Sequence, residues 1–417
     1  MSLPTAPIVS IDLGDDFHFG PTVLEPLELA PQQDGHLING PEHGTANPVV
    51  TTSLDVLENF KGAFSGFGFN IIFRPNSSKT PTPLHVTPPP SDIKQNILQL
   101  NLTSETQAFT KPLGDVPNRG FDDQADLILN GVPYIQTISD ITEIEDKQPV
   151  IHFEPGLWMR VPKSEDMPGL DESFARMASI PHGTTINVQC FEPAVPSKGA
   201  PDIPKASITP IILANNTERR FRSQTAYLGN TFRLPQDLTP FIKAGTITQE
   251  ILDDPNTVLR KANERKNIVE NTTFTVSSSP EHPELGGGTS NIGFLIGADA
   301  GVNTASVASR SGNANAVKVT AQYWISKVRT QIHLDPFDGK PGTKKMVSPA
   351  SLGPRDAVPK FILDFEVPTA KTVTVEYTQI QYSQNVILDF NGLSWPHVTV
   401  GTLAPTAKHR LRDVIVA

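Results

Sequence analysis

Cysteine is nearly missing from this 417-residue chain: Cys190 stands alone, which excludes an intrachain disulfide. With no partner histidine placed beside it, Cys190 reads as a buried, inert thiol. Positive charge is also scarce. The formal net charge is -10, and charged residues make up only 19% of the chain. The most basic stretches, Glu218-Arg219-Arg220-Phe221-Arg222 and Lys408-His409-Arg410-Leu411-Arg412, are short and read as a solvated turn and a tail. Strong binding to nucleic acid is therefore not expected. No apolar run reaches the length of about 18 residues that a membrane-spanning helix needs. The opening Met1-Ser2-Leu3-Pro4 carries neither region of a secretory signal, which predicts a cytoplasmic protein and makes the sequons at Asn76, Asn101, Asn215 and Asn271 chance matches. A Gly-x-Ser-x-Gly elbow, a phosphate-loop lysine, a zinc-type histidine pair and a clear internal repeat are all missing.

What the chain does have is 39 prolines and 29 glycines. That many helix breakers suit short strands separated by turns. Residues 1–60 read as an irregular N-terminal arm, with a short helix at 53–60. Strands are expected at 95–103, 106–111, 126–138, 148–153, 156–161, 174–180 and 183–190. The turns between them include Pro117-Asn118-Arg119-Gly120, Asn130-Gly131, Pro155-Gly156 and Pro181-His182-Gly183. Close spacing argues for sequential antiparallel pairing. Residues 191–290 change character. Helical spacing appears at 236–244, 247–253 and 255–266, the last with Asp254 as N-cap and Pro255 in its first turn. Gly286-Gly287-Gly288 reads as a loop. Strands return at 315–328, 359–366, 372–390 and 396–403. Between Tyr377 and Ile380 the apolar parity changes, which predicts a bulge or break. The expected architecture is mainly β: one large antiparallel barrel begun by residues 61–190, interrupted by a helical insertion at 191–290, and completed by 291–417.

The stretch 151–161 carries the sharpest question. His152, Glu154, Gly156, Trp158 and Arg160 share one face, and Ile151, Phe153, Leu157, Met159 and Val161 the other. An outward polar face would simply meet water. An inward one would line a pocket able to bind and protonate a ligand. Outward is the default, while Trp158 on the polar side argues for burial. Gly66, Gly68, Asn70 and Arg74 pose the same choice; their glycines leave room for a ligand, or mark a bulge or tight bend. His182, in its turn, suits either a general acid at the barrel mouth or a plain turn residue. His397, after Trp395-Pro396, suits an acid/base, an iron ligand or a structural role.

Five strings carry a resemblance: Gly66-Phe-Gly-Phe-Asn-Ile-Ile-Phe-Arg74, Pro117-Asn-Arg-Gly120, His152-Phe-Glu-Pro-Gly-Leu-Trp158, Arg176-Met-Ala-Ser-Ile-Pro-His-Gly-Thr184 and Asn391-Gly-Leu-Ser-Trp-Pro-His-Val-Thr-Val-Gly-Thr-Leu403. Together they span most of the chain. They resemble a family of large lipocalin-like barrels that includes fungal hetero-Diels–Alderases of tropolone–sesquiterpene biosynthesis and bacterial proteins labelled haem-binding. The resemblance implies a pericyclase, a lyase or cyclase of meroterpenoid secondary metabolism. It would join a tropolone-derived quinone methide, formed by dehydration, to a sesquiterpene such as a humulene. No cofactor is implied for that chemistry. Under it, Glu154, His152, His182 and His397 are the candidate acids. Asn70, Arg74 and Arg160 would hold the tropolone oxygen, and Trp158, Tyr323, Trp324 and Trp395 would line the terpene side. The string around Trp395-Pro396-His397 is also similar to the last strands of nitrobindin-type haem barrels, which implies His397 as an iron ligand. A third reading is a non-catalytic carrier of a hydrophobic metabolite.

Overall fold

The computed structural model describes residues 53–76, 81–89, 96–122, 125–143, 148–163, 171–190, 192–279, 286–291, 314–406 and 409–416. The expected arm up to residue 52 and Lys408 of the basic tail lie outside the described residues. Ten antiparallel strands close into a barrel. They are β1 (Gly62–Pro75), β2 (Asn96–Phe109), β3 (Leu127–Asp140), β4 (Val150–Val161), β5 (Ser173–Ser179), β6 (Thr184–Cys190), β7 (Asn267–Ser277), β8 (Asn315–Leu334), β9 (Lys371–Phe390) and β10 (Leu393–Pro405). Sequential neighbours pair, β6 and β7 through the one residue pair Gln189–Ser277 with Gly288–Asn291 and Val195–Lys198 pairing along their remaining edges, and β10 returns to β1 to close the circle.

That closing seam explains two glycines. Gly66 faces Leu403 and Gly68 faces Gly401 across it. A Cβ on Gly66 would lie 1.9 Å from the Thr402 carbonyl oxygen, and one on Gly68 2.1 Å from that of Val400. The glycines read as space for a ligand instead let two backbones meet.

Both faces of the barrel wall are buried over much of its extent. In β1, Phe64 points into the lumen while Phe69, Ile71 and Phe73 point out. A short 3-10 helix, Asp55–Asn59, stoppers one end of the lumen. Its Val56 and Leu57, with Leu54 and Phe60, join Phe64, Phe109, Trp158 and Phe274 in an aromatic cluster. The Phe60 ring stacks on Phe109 at 4.9 Å.

Outside, residues 200–265 cover the outer face of β1, β2 and β10. Three short helices lie there: α1 (Thr239–Ala244), α2 (Gln249–Asp253) and α3 (Thr257–Asn263). Ile247, Ile251, Leu252 and Leu259 pack onto Phe69, Ile71, Leu98, Leu100, Val398 and Val400. Thr248 caps α2 by accepting the Ile251 N–H. Asp254 acts one step earlier than expected, accepting from Asn256 N and Ala206 N before α3 begins. Fully buried Arg233 ties this layer together by donating only to backbone carbonyls, among them Ser223, Thr225, Leu228 and Gln236.

Several sequence expectations need correction. The pieces 95–103 and 106–111 are one strand, and so are 148–153 and 156–161. The stretch 359–366 supplies no barrel strand; Phe361–Leu363 pairs with Lys345–Val347 and His409–Arg410 in a small separate sheet. The seventh strand, β7, falls inside the stretch assigned to the insertion, hidden because Asn271, Thr272, Thr273 and Thr275 dilute its apolar pattern. The predicted break after Tyr377 does not exist. β9 runs unbroken for 20 residues. Its Val375 and Tyr377 point outward into a core built by Phe361, Leu363 and Val367, whereas Ile380 and Tyr382 point into the lumen. The parity changes because the strand serves two cores in succession.

Candidate functional site

Along β4 the polar face points into the lumen. Trp158 belongs to the lumen core, and Glu154 is fully buried among lumen side chains. The apolar face points out, with Phe153 exposed. The default outward reading of His152, Glu154, Trp158 and Arg160 is thereby reversed, because Tyr134, Arg176 and Tyr323 receive these residues inside.

The lumen has three tiers. At the stoppered end Trp158 meets Phe60, Phe274 and Tyr323, the last edge-on at 5.0 Å. Arg160 lies there too, paired with Glu172 and stacked over Phe174. The middle tier is ionic. Arg176 pairs with Glu154 and donates to Tyr134 Oη, Tyr323 Oη (2.8 Å) and Gln384 Oε1 (2.7 Å). Tyr134 donates its hydroxyl to Glu154. Beside it, Glu105 accepts from Tyr382 Oη (2.7 Å), Gln107 Nε2 (2.8 Å) and Gln136 Nε2 (2.7 Å). Burial pushes the Glu105 carboxyl up despite these three bonds. Burial also acts on Glu154, but Arg176 and His152 outweigh it and the carboxyl falls to about 2. Glu154 is therefore a carboxylate at neutral pH. It orients its neighbours rather than delivering a proton.

The third tier is the histidine end. His152 Nε2 lies 3.1 Å from Glu154 Oε2. The His152 and His182 rings meet edge-on at 5.0 Å. Burial and the His152 charge both lower the His182 pKa. His397 drops further, to about 3, through burial and then the two other histidines. It is neutral at physiological pH and its Nε2 sits 2.8 Å from Asn70 Nδ2. Asn70 also donates to Thr399 Oγ1 (2.7 Å) and accepts from Asn101 Nδ2 (3.1 Å). Arg74 shares the Asn70 face of β1; its Nε is buried with no hydrogen-bond partner among the described residues, and burial lowers its pKa.

Of the residues singled out from sequence, Asn70, Arg74, His152, Glu154, His182 and His397 gather at or beside this end. Trp158, Arg160 and Tyr323 lie deeper. Trp324 and Trp395 lie outside the barrel wall, Trp395 packed between Phe73, Phe221 and Phe390. Sequence reasoning missed Glu105, Tyr134, Gln136, Arg176, Tyr382 and Gln384. One signal was present in β2: Gln99, Asn101, Thr103, Glu105 and Gln107 alternate with Leu98, Leu100 and Leu102. Once the outer face is covered, that polar parity must point inward.

Cys190 is buried, donates to the Glu192 carbonyl, and has its thiol pKa raised by burial, so it is no ready nucleophile. Among the described residues no group of three or more His, Cys, Asp or Glu side chains is arranged to hold a metal ion. No described helix is long and apolar enough to cross a membrane. A haem iron on His397 Nε2 does not fit. That nitrogen accepts from Asn70 Nδ2, which fixes the tautomer with the proton on Nδ1, and Asn70 is itself held by Thr399 and Asn101, so the ligating lone pair is already used. No protein-family model, curated protein or solved structure matches the chain.

Proposed function

We propose that this barrel is a small-molecule enzyme of the lyase or cyclase type, the pericyclase that the lipocalin-like sequence resemblance implies, with its reaction at the histidine end of the lumen. The observation that carries the reading is the His152–Glu154 pair, an imidazole held by a buried carboxylate on the inner wall of a closed barrel. Such a pair can hand a proton to a departing hydroxyl. In the implied reaction the protonated hydroxyl of a benzylic-type alcohol leaves as water when its C–O bond breaks, the ring hydroxyl returns its proton to the His152 imidazole, and a neutral quinone methide remains. Two new bonds then form with a polyene, and the protein's part in that step is to align the reactants and keep water out. His182 relays the proton at the rim. Arg74, whose Nε has no hydrogen-bond partner among the described residues, holds the tropolone oxygen.

The test is turnover of a supplied benzylic-alcohol precursor with humulene, followed by chromatography. Product formed faster than in buffer, with His152→Gln slowing it about 100-fold, supports the reading. A rate equal to buffer with saturable binding of either compound leaves the carrier role instead.

A further inference from the structure

A second recessed site lies outside the barrel, away from the lumen. A cleft of about 420 Å³ opens between the outer face of β1–β3 and the segment 351–360. Its floor is a grid of small hydroxyl residues on adjacent strands. Ser65 pairs with Thr106 and Thr106 with Thr137; one row on, Ser104 pairs with Ser139. None of these five hydroxyls bonds another described group, although together they offer alternating donors and acceptors over a few ångströms. Farther along β1 and β2 the outer face is apolar and packed, as in Leu98, Leu100, Phe69 and Ile71. The change within the same strands, from apolar to hydroxyl, marks the floor as a surface meant for polar contact.

The charges around it are unbalanced. Asp356 lines the cleft, but its carboxylate is 3.2 Å from the buried Lys266 ammonium and also accepts the Leu352 N–H. Lys360 lines the cleft with no ion-pair partner among the described residues. Arg355 stands behind, its guanidinium over the Phe67 ring at 5.5 Å and donating to the Gly68 and Thr103 carbonyls, with no carboxylate partner among the described residues. Burial lowers it to about 10. Net positive charge beside a polyhydroxyl floor suits a ligand with both features.

We infer that this cleft binds a small polyhydroxylated anion, with Ser104, Thr106 and Thr137 reading its hydroxyls and Lys360 its charge. A sugar phosphate is the type of ligand in question. Binding is independent of the lumen chemistry proposed above.

Isothermal titration of the full chain with glucose 6-phosphate, glucose and inorganic phosphate tests this. The expected result is saturable binding of glucose 6-phosphate with a Kd of about 1 mM or lower. Glucose and phosphate each bind at least about tenfold more weakly. Lys360→Ala and the double variant Thr106→Val/Thr137→Val each weaken glucose 6-phosphate about tenfold, while His152→Gln leaves it unchanged. Both altered sites are at the surface, and a circular-dichroism melt confirms folding. Absence of saturable binding overturns the inference. So does binding that these variants do not weaken, or phosphate alone matching the sugar phosphate.

Discussion

Replacing Glu154 by Gln removes the negative charge from the middle of the lumen and leaves the Arg176 guanidinium buried. Glu154 is 0% and Arg176 2% exposed, so water cannot compensate. Breaking such a buried pair costs about 3–5 kcal/mol. Arg176→Gln is expected to cost a similar amount, because it strands the carboxylate with only Tyr134 and His152. The double variant Glu154→Gln/Arg176→Gln restores neutrality and should cost about 2 kcal/mol less than the sum of the singles. The same carboxyl sets an acid limit. It titrates near 4.5 in an unfolded chain and near 2 in the barrel, which stabilises the fold by about 3 kcal/mol above pH 4.5. That contribution falls as pH drops toward 2, and about 60% of it is gone by pH 3. Urea unfolding of both proteins from pH 7 to pH 3 measures the difference directly. The wild-type advantage should shrink over that window. A Glu154→Gln cost under about 1 kcal/mol at pH 7 refutes the reasoning, as does an advantage that does not change between pH 4.5 and 3.

Three further outcomes are expected. Gly66→Ala drives a Cβ into the Thr402 carbonyl, 1.9 Å away across the closing seam, and should cost at least about 3 kcal/mol in chemical denaturation; a near-neutral change would mean the seam is looser than described. Arg233→Lys cannot reach the backbone carbonyls that the guanidinium spans, so a loss of about 2–4 kcal/mol and faster amide exchange confined to residues 200–265 are expected. Adding haem should give no Soret band that depends on His397; a strong band lost in His397→Ala would contradict the Asn70–His397 hydrogen bond as the resting arrangement of that imidazole.

Much of the wall was legible from alternation alone. Strands β3 to β6 and β8 to β10 lie close to where the apolar periodicity placed them, and helical spacing located the three short helices to within a few residues, although Asp254 does not cap the third. β7 escaped because threonine and asparagine hid its period, and the continuity of β9 escaped because its two halves serve different cores. At the histidine end, His152, Glu154, His182, His397, Asn70 and Arg74 were visible as polar residues on strand faces. Their partners were not. Glu105 and Tyr382 are 277 positions apart, and Arg176 and Gln384 are 208 apart; no local pattern encodes such pairs.

Composition and alternation determined that the chain is mainly β, without a disulfide and with polar and apolar faces on each strand. They did not determine which face is inside. A strand exposed on one side announces its core by burying its apolar parity. Here residues 200–265 cover the outside of β1, β2 and β10 with apolar contacts, so the apolar parity of those strands faces out and their polar parity turns inward, while β5, β6 and β7 keep their apolar parity on the lumen. Only closure of β10 on β1 and the docking of those outer layers decided that His152, Glu154 and Arg176 meet inside the barrel.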